Sequence, residues 1–523
     1  MTGSEDDAGS EGYSRRNILG QAGAGFLASA SGLLLPEAAL AAQRPRVGGR
    51  IRVAGTTSST ADTLDPTTGA NNGDYLRHEM LYSKLTELDG DLRAQPALAE
   101  RVVSNDQKAW HLRLRKGVTF HDGKTLDAGD VVYTLLRHKN PSVGSKLAGI
   151  AGQFAEVKAT GPLDLRITLT GRNADLPEIL AQSHFGILAA GTKDFQTANG
   201  TGPYRLAQFR PGIRTLVRRN PHYWKNGRPY LEEVELIGIP DEVSRVNALL
   251  SGDVHMICAV NPRSVRRINA SSGHAILESK SGLYTNLIAA QDRLPTSNPH
   301  FVAALKYLMD RPLINRALFR NYGMIANDHP IPPFHPYYNK DLPQIALDLD
   351  KAKWHINKGG LAGVRLPIYA SAAAEGSVDM ASILQEYGSR VGLKLAVNRM
   401  PADGYWSTHW MKHPLGFGNC NPRPTADMIF SLFFKSDAQW NESRWKNPRF
   451  DSLLLEARGE RDEGKRKAMY GEMQALVKHH CGVVIPAFIS LLDGYDRRLK
   501  GLSPNPLGGF MGYTFAEHVW WQG

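Results

Sequence analysis

The stretch Gly416-Phe417-Gly418-Asn419-Cys420-Asn421-Pro422-Arg423-Pro424-Thr425-Ala426-Asp427 gathers the side chains best suited to holding a small molecule. It follows an apparent strand around Leu415 to Phe417, and in open α/β sheets ligands lie beyond the carboxyl ends of strands. Its glycines let a backbone approach closely. The amides of Asn419 and Asn421, the thiol of Cys420 and the guanidinium of Arg423 supply donors, and Asp427 is the first acid of the run. The planar fork of Arg423 matches two oxygens of a carboxylate or phosphate, which admits a ligand with an acidic group or a modified peptide. A second candidate set is Asn71-Asn72-Gly73-Asp74-Tyr75, with Tyr75 as the ligand-facing ring. Of the tryptophans at 406, 410, 440 and 445, Trp406 is the first choice for a flat wall against a ligand. This is recognition chemistry.

Other groupings do not assemble a reaction. Gly200-Thr201-Gly202 lacks the Lys-Ser/Thr of a phosphate loop and runs straight into Pro203, so close backbone packing is its expected role. His121-Asp122 stands without a GxSxG nucleophile elbow, an HExxH pair or an SxxK set with its companions, and the chain is read as a non-enzyme. His479-His480-Cys481 has no second ligand cluster, so no metal and no cofactor is expected. Three cysteines, Cys258, Cys420 and Cys481, exclude a disulfide framework and leave the pairing of one bridge open.

The elements that must position these residues alternate between strand and helix. Val234 to Ile239 reads as a strand ending at Pro240; Asp241 caps a helix carrying Val243, Val246, Leu249 and Leu250; Gly252 closes it, and Val254 to Ile257 is the next strand. A second βαβ unit runs from Arg365–Ala370 through a helix with Met380, Ile383, Leu384 and Tyr387 to Leu393–Val397. Such crossovers imply parallel sheets in two regions. Between them, Asn298-Pro299 and Asp310 start helices, and the prolines from Pro330 to Pro336 break the pattern. Trp110, Leu112 and Leu114 alternate with His111, Arg113 and Arg115 as a half-buried strand, and Asp127 with Asp130 forms a capping-box-like helix start.

The 523 residues, 42% hydrophobic and 22% charged, suffice for two or three domains with proper cores. The first forty-two form an address: Ser14-Arg15-Arg16-Asn17-Ile18-Leu19, a Gly/Ala-rich apolar run from Gly20 to Leu35, and a small-residue cleavage site at Ala41 or Ala42. Paired arginines before a modest apolar run indicate a twin-arginine signal peptide. That run is short for a membrane span, the alternative reading. Without residues 1–42 the formal charge rises from +11 to +14, since two arginines and five acids leave. The basic residues are scattered with no dense arm, which excludes nucleic acid as the expected partner.

The string from Leu114 to Arg137, LRKGVTFHDGKTLDAGDVVYTLLR, resembles the signature of the extracytoplasmic solute-binding proteins that feed peptide and nickel ABC importers, family 5. GTGPYRLAQFRPGIRTLVRRNPHYW (200–224), NPHFVAALKYLMDRPLINRALF (298–319), IPPFHPYY (331–338), LDLDKAKWHINKGGL (347–361) and RWKNPRFDSLLLEARGERDEGKRKAMYGEMQALV (444–477) are similar to that family in the family's order.

The resemblance implies an α/β, two-lobed periplasmic-binding-protein fold of type II, its lobes joined by a hinge crossed twice. The first lobe is placed at 43–283 plus 486–523, with an inserted subdomain at about 84–195, and the second at 284–485. Hinge crossings are expected near 282–290 and 486–490, where Tyr284 and Asn286 become further candidate contacts. The implied role is a monomeric periplasmic receptor that traps a peptide-like ligand by lobe closure and delivers it to an inner-membrane ABC permease. Nickel-chelate, opine or oligosaccharide binding on the same fold, and a secreted hydrolase, are the alternatives. Dipeptide-binding members carry a carboxylate for the peptide's amino terminus in the loop corresponding to 416–427. Here Asn419, Asn421 and Arg423 occupy that region.

Overall fold

The computed structural model describes residues 45–522 apart from Ser58. The expected signal segment, with Arg15, Arg16, Ala41 and Ala42, lies outside the described residues. Both predicted βαβ units form. In the first, Glu233–Gly238 leads into the helix Glu242–Ser251, whose cap Asp241 accepts from Ser244 N and whose stop, Gly252, is left-handed at φ 82°. Its two strands, Glu233–Gly238 and Met256–Ile257, flank Arg50–Gly55 in parallel. In the second, Arg365–Ser371 and Lys394–Met400 pair in parallel, connected by the helix Ser377–Arg390.

The strands of the two units meet in one long sheet. From one edge its order is Lys394–Met400, Arg365–Ser371, Leu415–Cys420, His274–Ala289, Ala487–Asp496, Met256–Ile257, Arg50–Gly55, Glu233–Gly238, Arg214–Arg219 and Tyr204–Arg210. Two long antiparallel strands, His274–Ala289 and Ala487–Asp496, join its halves. The first keeps regular register with the second from His274 to Ser279, shifts between Ser279 and Leu283, and then pairs with Leu415–Cys420 from Tyr284 onward. A two-lobed molecule with a twice-crossed connection follows from this arrangement. Each half has its own buried core, one around Phe301, Leu305, Ile368 and Leu384, the other around Ile51, Val53, Leu236 and Met256.

Ala99–Val103, Ala109–Leu114, Asp164–Leu169 and Phe154–Ala159 form a separate antiparallel sheet of four. Trp110, Leu112 and Leu114 point into its core while His111 and Arg113 are exposed, as the alternation predicts. The helix Ala128–Arg137 begins with a full capping box between Asp127 and Asp130. Gly200 and Gly202 press on the end of the helix Asn72–Leu81, where a Cβ would lie 2.0 Å from Leu81 O and 2.4 Å from Leu81 C respectively. The GTG run is therefore packed backbone. No helix among the described residues is long and apolar enough to cross a membrane.

Candidate functional site

A cavity of about 790 Å³ is lined by residues of both halves, a size suited to a peptide or a similarly large organic molecule. Tyr75 reaches it from the first turns of the helix Asn72–Leu81, which Asn71 caps by accepting from Asp74 N. Asn421, Pro422, Arg423 and Pro424 reach it from the loop after Leu415–Cys420. Asp427 lies in the first turn of the following helix, Ala426–Phe433, capped by Thr425.

The charges of this cavity are unevenly paired. Asp427 is buried and its Oδ1 accepts from Arg458 Nε at 2.9 Å; burial raises its pKa and Arg458 opposes that shift. Glu79 pairs with Lys84, and Lys225 Nζ binds both Glu87 at 2.7 Å and Glu517 at 2.8 Å. Every carboxylate of the wall is thus answered by a cation. Arg423 is not so answered: its Nη1 donates to two carbonyls of its own loop, Asn421 O at 3.2 Å and Pro422 O at 3.0 Å. Among the described residues neither Arg423 nor Lys146 has a carboxylate partner. Tyr75 shares this region; burial raises its phenol's pKa and the Arg423 charge pulls it down, and its hydroxyl has no hydrogen-bond partner among the described residues. The His184 ring, edge-on to Tyr75 with centroids 5.2 Å apart, donates from Nε2 to Gly69 O at 3.1 Å. Burial, with help from the Arg423 and Lys146 charges, holds it down at about 4, so it is neutral at pH 7.

Tyr75 also meets Tyr513 edge-on, centroids 5.5 Å apart, whose hydroxyl donates to Asn72 Oδ1 at 2.9 Å. Tyr513 ends a left-handed turn: φ is 53° at Phe510, 59° at Met511, 66° at Gly512 and 72° at Tyr513, with Gly512 N bonded to Gly508 O and Tyr513 N to Gly509 O. Three of these four residues carry side chains, at about 1–2 kcal/mol each for L-residues in that conformation.

Four of the nine sequence-predicted residues, Tyr75, Asn421, Arg423 and Asp427, line this cavity. The other five do not. The run read as a loop from Gly416 is strand as far as Cys420, which confines the loop to 421–424. Asn419 accordingly pairs with Thr285 in the sheet, and Cys420 faces the core, where burial pushes its thiol up to about 12. Gly418 makes room for Glu442, whose Oε1 a Cβ would meet at 2.0 Å, and not for a ligand. Tyr284 is buried edge-on to Phe488, and Asn286 donates to Glu442 Oε2 at 2.7 Å. Trp406 sits on the short helix Tyr405–Thr408, 41% exposed and edge-on to Trp410. All three cysteines are free and buried. Sequence reasoning missed Lys146, His184 and Tyr513; of these only Tyr513 left a signal, the glycines of Leu507-Gly508-Gly509-Phe510-Met511-Gly512-Tyr513, which announce an unusual backbone.

The model of the bacterial extracellular solute-binding proteins, family 5 (middle part), matches residues 93–442. The chain belongs to that family. Among curated relatives it is 26% identical to the dipeptide-binding protein of Escherichia coli K12 over 475 residues, covering 82% of this chain and 87% of that one. It is also 26% identical to heme-binding protein A of Haemophilus influenzae over 471 residues, covering 82% and 85%. Among solved structures, the periplasmic binding protein DppA of Helicobacter pylori with the peptide STSA superposes with a TM-score of 0.78 at 20% identity, over 91% of this chain and 99% of that one. The binding protein AgaA of A. tumefaciens R10 with agropinic acid gives 0.78 at 20% identity over the same shares. At this identity the superpositions establish the two-lobed fold of the family 5 protein.

Proposed function

We propose that this family 5 protein is the periplasmic, non-catalytic receptor of an ABC importer. It captures a small peptide-like ligand bearing an acidic group and hands it to an inner-membrane permease. On this reading a twin-arginine signal directs export, the lobes 43–283 plus 486–523 and 284–485 close about the two long strands, and the protein acts as a monomer. The observation that carries the ligand class is the cavity's charge pairing: its carboxylates are occupied, whereas Arg423 and Lys146 remain open to an anion. Asp427, held by Arg458, is a poor receiver for a free α-amine. The DppA peptide complex and the AgaA agropinic acid complex lend support, since a peptide end and an opine acid offer the same carboxylate chemistry.

Dipeptides in three end forms test this. Calorimetry on the purified protein is expected to give binding to free and N-acetylated forms and none to C-amidated forms. Binding of amidated peptides with rejection of acetylated ones would sink the reading, and turnover products in native mass spectra would overturn the receptor role itself.

A further inference from the structure

The left-handed turn that ends at Tyr513 is held from beneath by one buried side chain. Asp493, on the strand Ala487–Asp496, is 2% exposed, and its Oδ2 accepts from Phe510 N at 2.5 Å. Its Oδ1 is buried, has no hydrogen-bond partner among the described residues, and lies where a Cβ on Gly509 would come within 2.9 Å. The same loop is fastened to the other long strand, with Asn505 N donating to Ser279 Oγ at 3.0 Å and Ser281 Oγ donating to Pro506 O at 2.8 Å. Ser279 borders the register shift between Ser279 and Leu283, and Ser281 lies within it. A left-handed turn of L-residues persists only where its surroundings over-determine it, and such strain collects at ligand clamps.

We propose that Asp493 is a positioning residue for ligand capture: its carboxyl group locks the Phe510–Tyr513 turn, and the turn sets the Tyr513 ring against Tyr75 in the cavity wall that carries Arg423. The inference rests on this cavity being the ligand site. Tyr513 spends its hydroxyl proton on Asn72, which leaves Tyr75 as the phenol free to donate beside Arg423. Loosening the turn removes the surface that fixes Tyr75 for an acidic ligand, while Asp493 itself lies outside the cavity lining. Burial pushes Asp493 up to about 7, so an amide is a close mimic of its protonated form.

The test compares Asp493→Leu with Asp493→Asn in the full protein by amide hydrogen exchange and by native mass spectrometry of a retained N-acetylated dipeptide pool. In the leucine variant the Gly512 and Tyr513 amides are expected to exchange about a hundredfold faster while those of Ala487–Asp496 keep their protection. Retention of the pool is expected to fall about tenfold. Asp493→Asn, which still offers an acceptor to Phe510 N, restores both. If the leucine variant does not fold, Asp493→Ser, too short to reach that amide, is read in the same way. Unchanged exchange, or faster exchange with retention as in the parent protein, overturns the proposal. A parent protein that retains no member of the pool overturns the peptide reading of the cavity instead, and the exchange contrast still decides whether Asp493 holds the turn.

Discussion

Asp427 Oδ1 accepts from Arg458 Nε at 2.9 Å in the cavity wall, and this pairing decides the sign of the site. A free carboxylate there would balance Arg423, four residues earlier in the chain. With Asp427 committed, the Arg423 charge is open to a ligand. Because Arg423 hydrogen-bonds only to carbonyls of its own loop and otherwise lies over the Phe433 ring, 5.9 Å from its centroid, Arg423→Ala is expected to cost about 1 kcal/mol or less of stability. Affinity for an N-acetylated dipeptide is expected to fall by about 2 kcal/mol, roughly thirtyfold, as for loss of a charge-assisted hydrogen bond. Calorimetry showing equal affinity in the two proteins would remove Arg423 from the site.

Arg466 and Asp175 form a second buried pair, 2.6 Å apart, between the helix Glu463–His480 and the segment before Leu176–Leu180. The guanidinium also donates to Ala457 O and lies near the rings of Tyr337 and Tyr470. Removing one partner of a buried ion pair costs about 3–5 kcal/mol because the other is left charged and alone. Arg466→Met is expected to lose that much in urea denaturation, and Arg466→Met with Asp175→Leu to regain most of it. A double variant no better than the single one would show that the arginine's packing, not its charge, supplies the stability.

Gly200→Ala tests the packed-backbone reading of the GTG run. Its methyl would stand 2.0 Å from Leu81 O, a backbone atom that cannot swing aside. Overpacking of this kind costs about 3 kcal/mol or more. The damage is expected to reach the ligand cavity, since Leu81 ends the helix that begins at Asn72 and carries Tyr75. A variant as stable as the parent would mean the helix end yields easily.

The residues above mark how far the sequence was readable. Local signals were sound where one element's own chemistry decides its form, as in the alternation at Trp110–Leu114, the Asp127 capping box and the βαβ unit closed by Gly252. They failed where a distant residue decides. Gly416 and Gly418 imitate a binding loop, yet Gly418 is glycine because Glu442 occupies its side-chain space, and the strand runs on to Cys420. Asn286 looked available for a ligand but is taken by that same Glu442. Lys146 and His184 reach the cavity from segments with no motif, through tertiary packing alone.

Glu442 also gives the fold a pH dependence of unusual sign. Its carboxyl group is buried, accepts from Trp410 Nε1 and Asn286 Nδ2 at 2.7 Å each, and has no cation paired with it among the described residues. Burial raises it from 4.5 to about 7 despite those hydrogen bonds. With the folded value above the unfolded one, protonation favours the fold, so the stability it confers is complete below about 4.5 and is lost as pH rises through 7. The size is on the order of 3 kcal/mol. Asp493, also raised to about 7, acts in the same direction. The buried imidazoles of His138, His184, His329 and His335, held down at about 4, act in the opposite direction below pH 6.5, so the carboxyl effect is read in urea denaturation as the difference between the parent and a Glu442 variant. Glu442→Gln removes this residue's share and is expected to be more stable than the parent at pH 8. A rotated Asn286 amide meets the new donor, because its Oδ1 is buried and has no partner among the described residues. A glutamine variant that keeps the parent's full pH slope would show that Glu442 does not contribute to it.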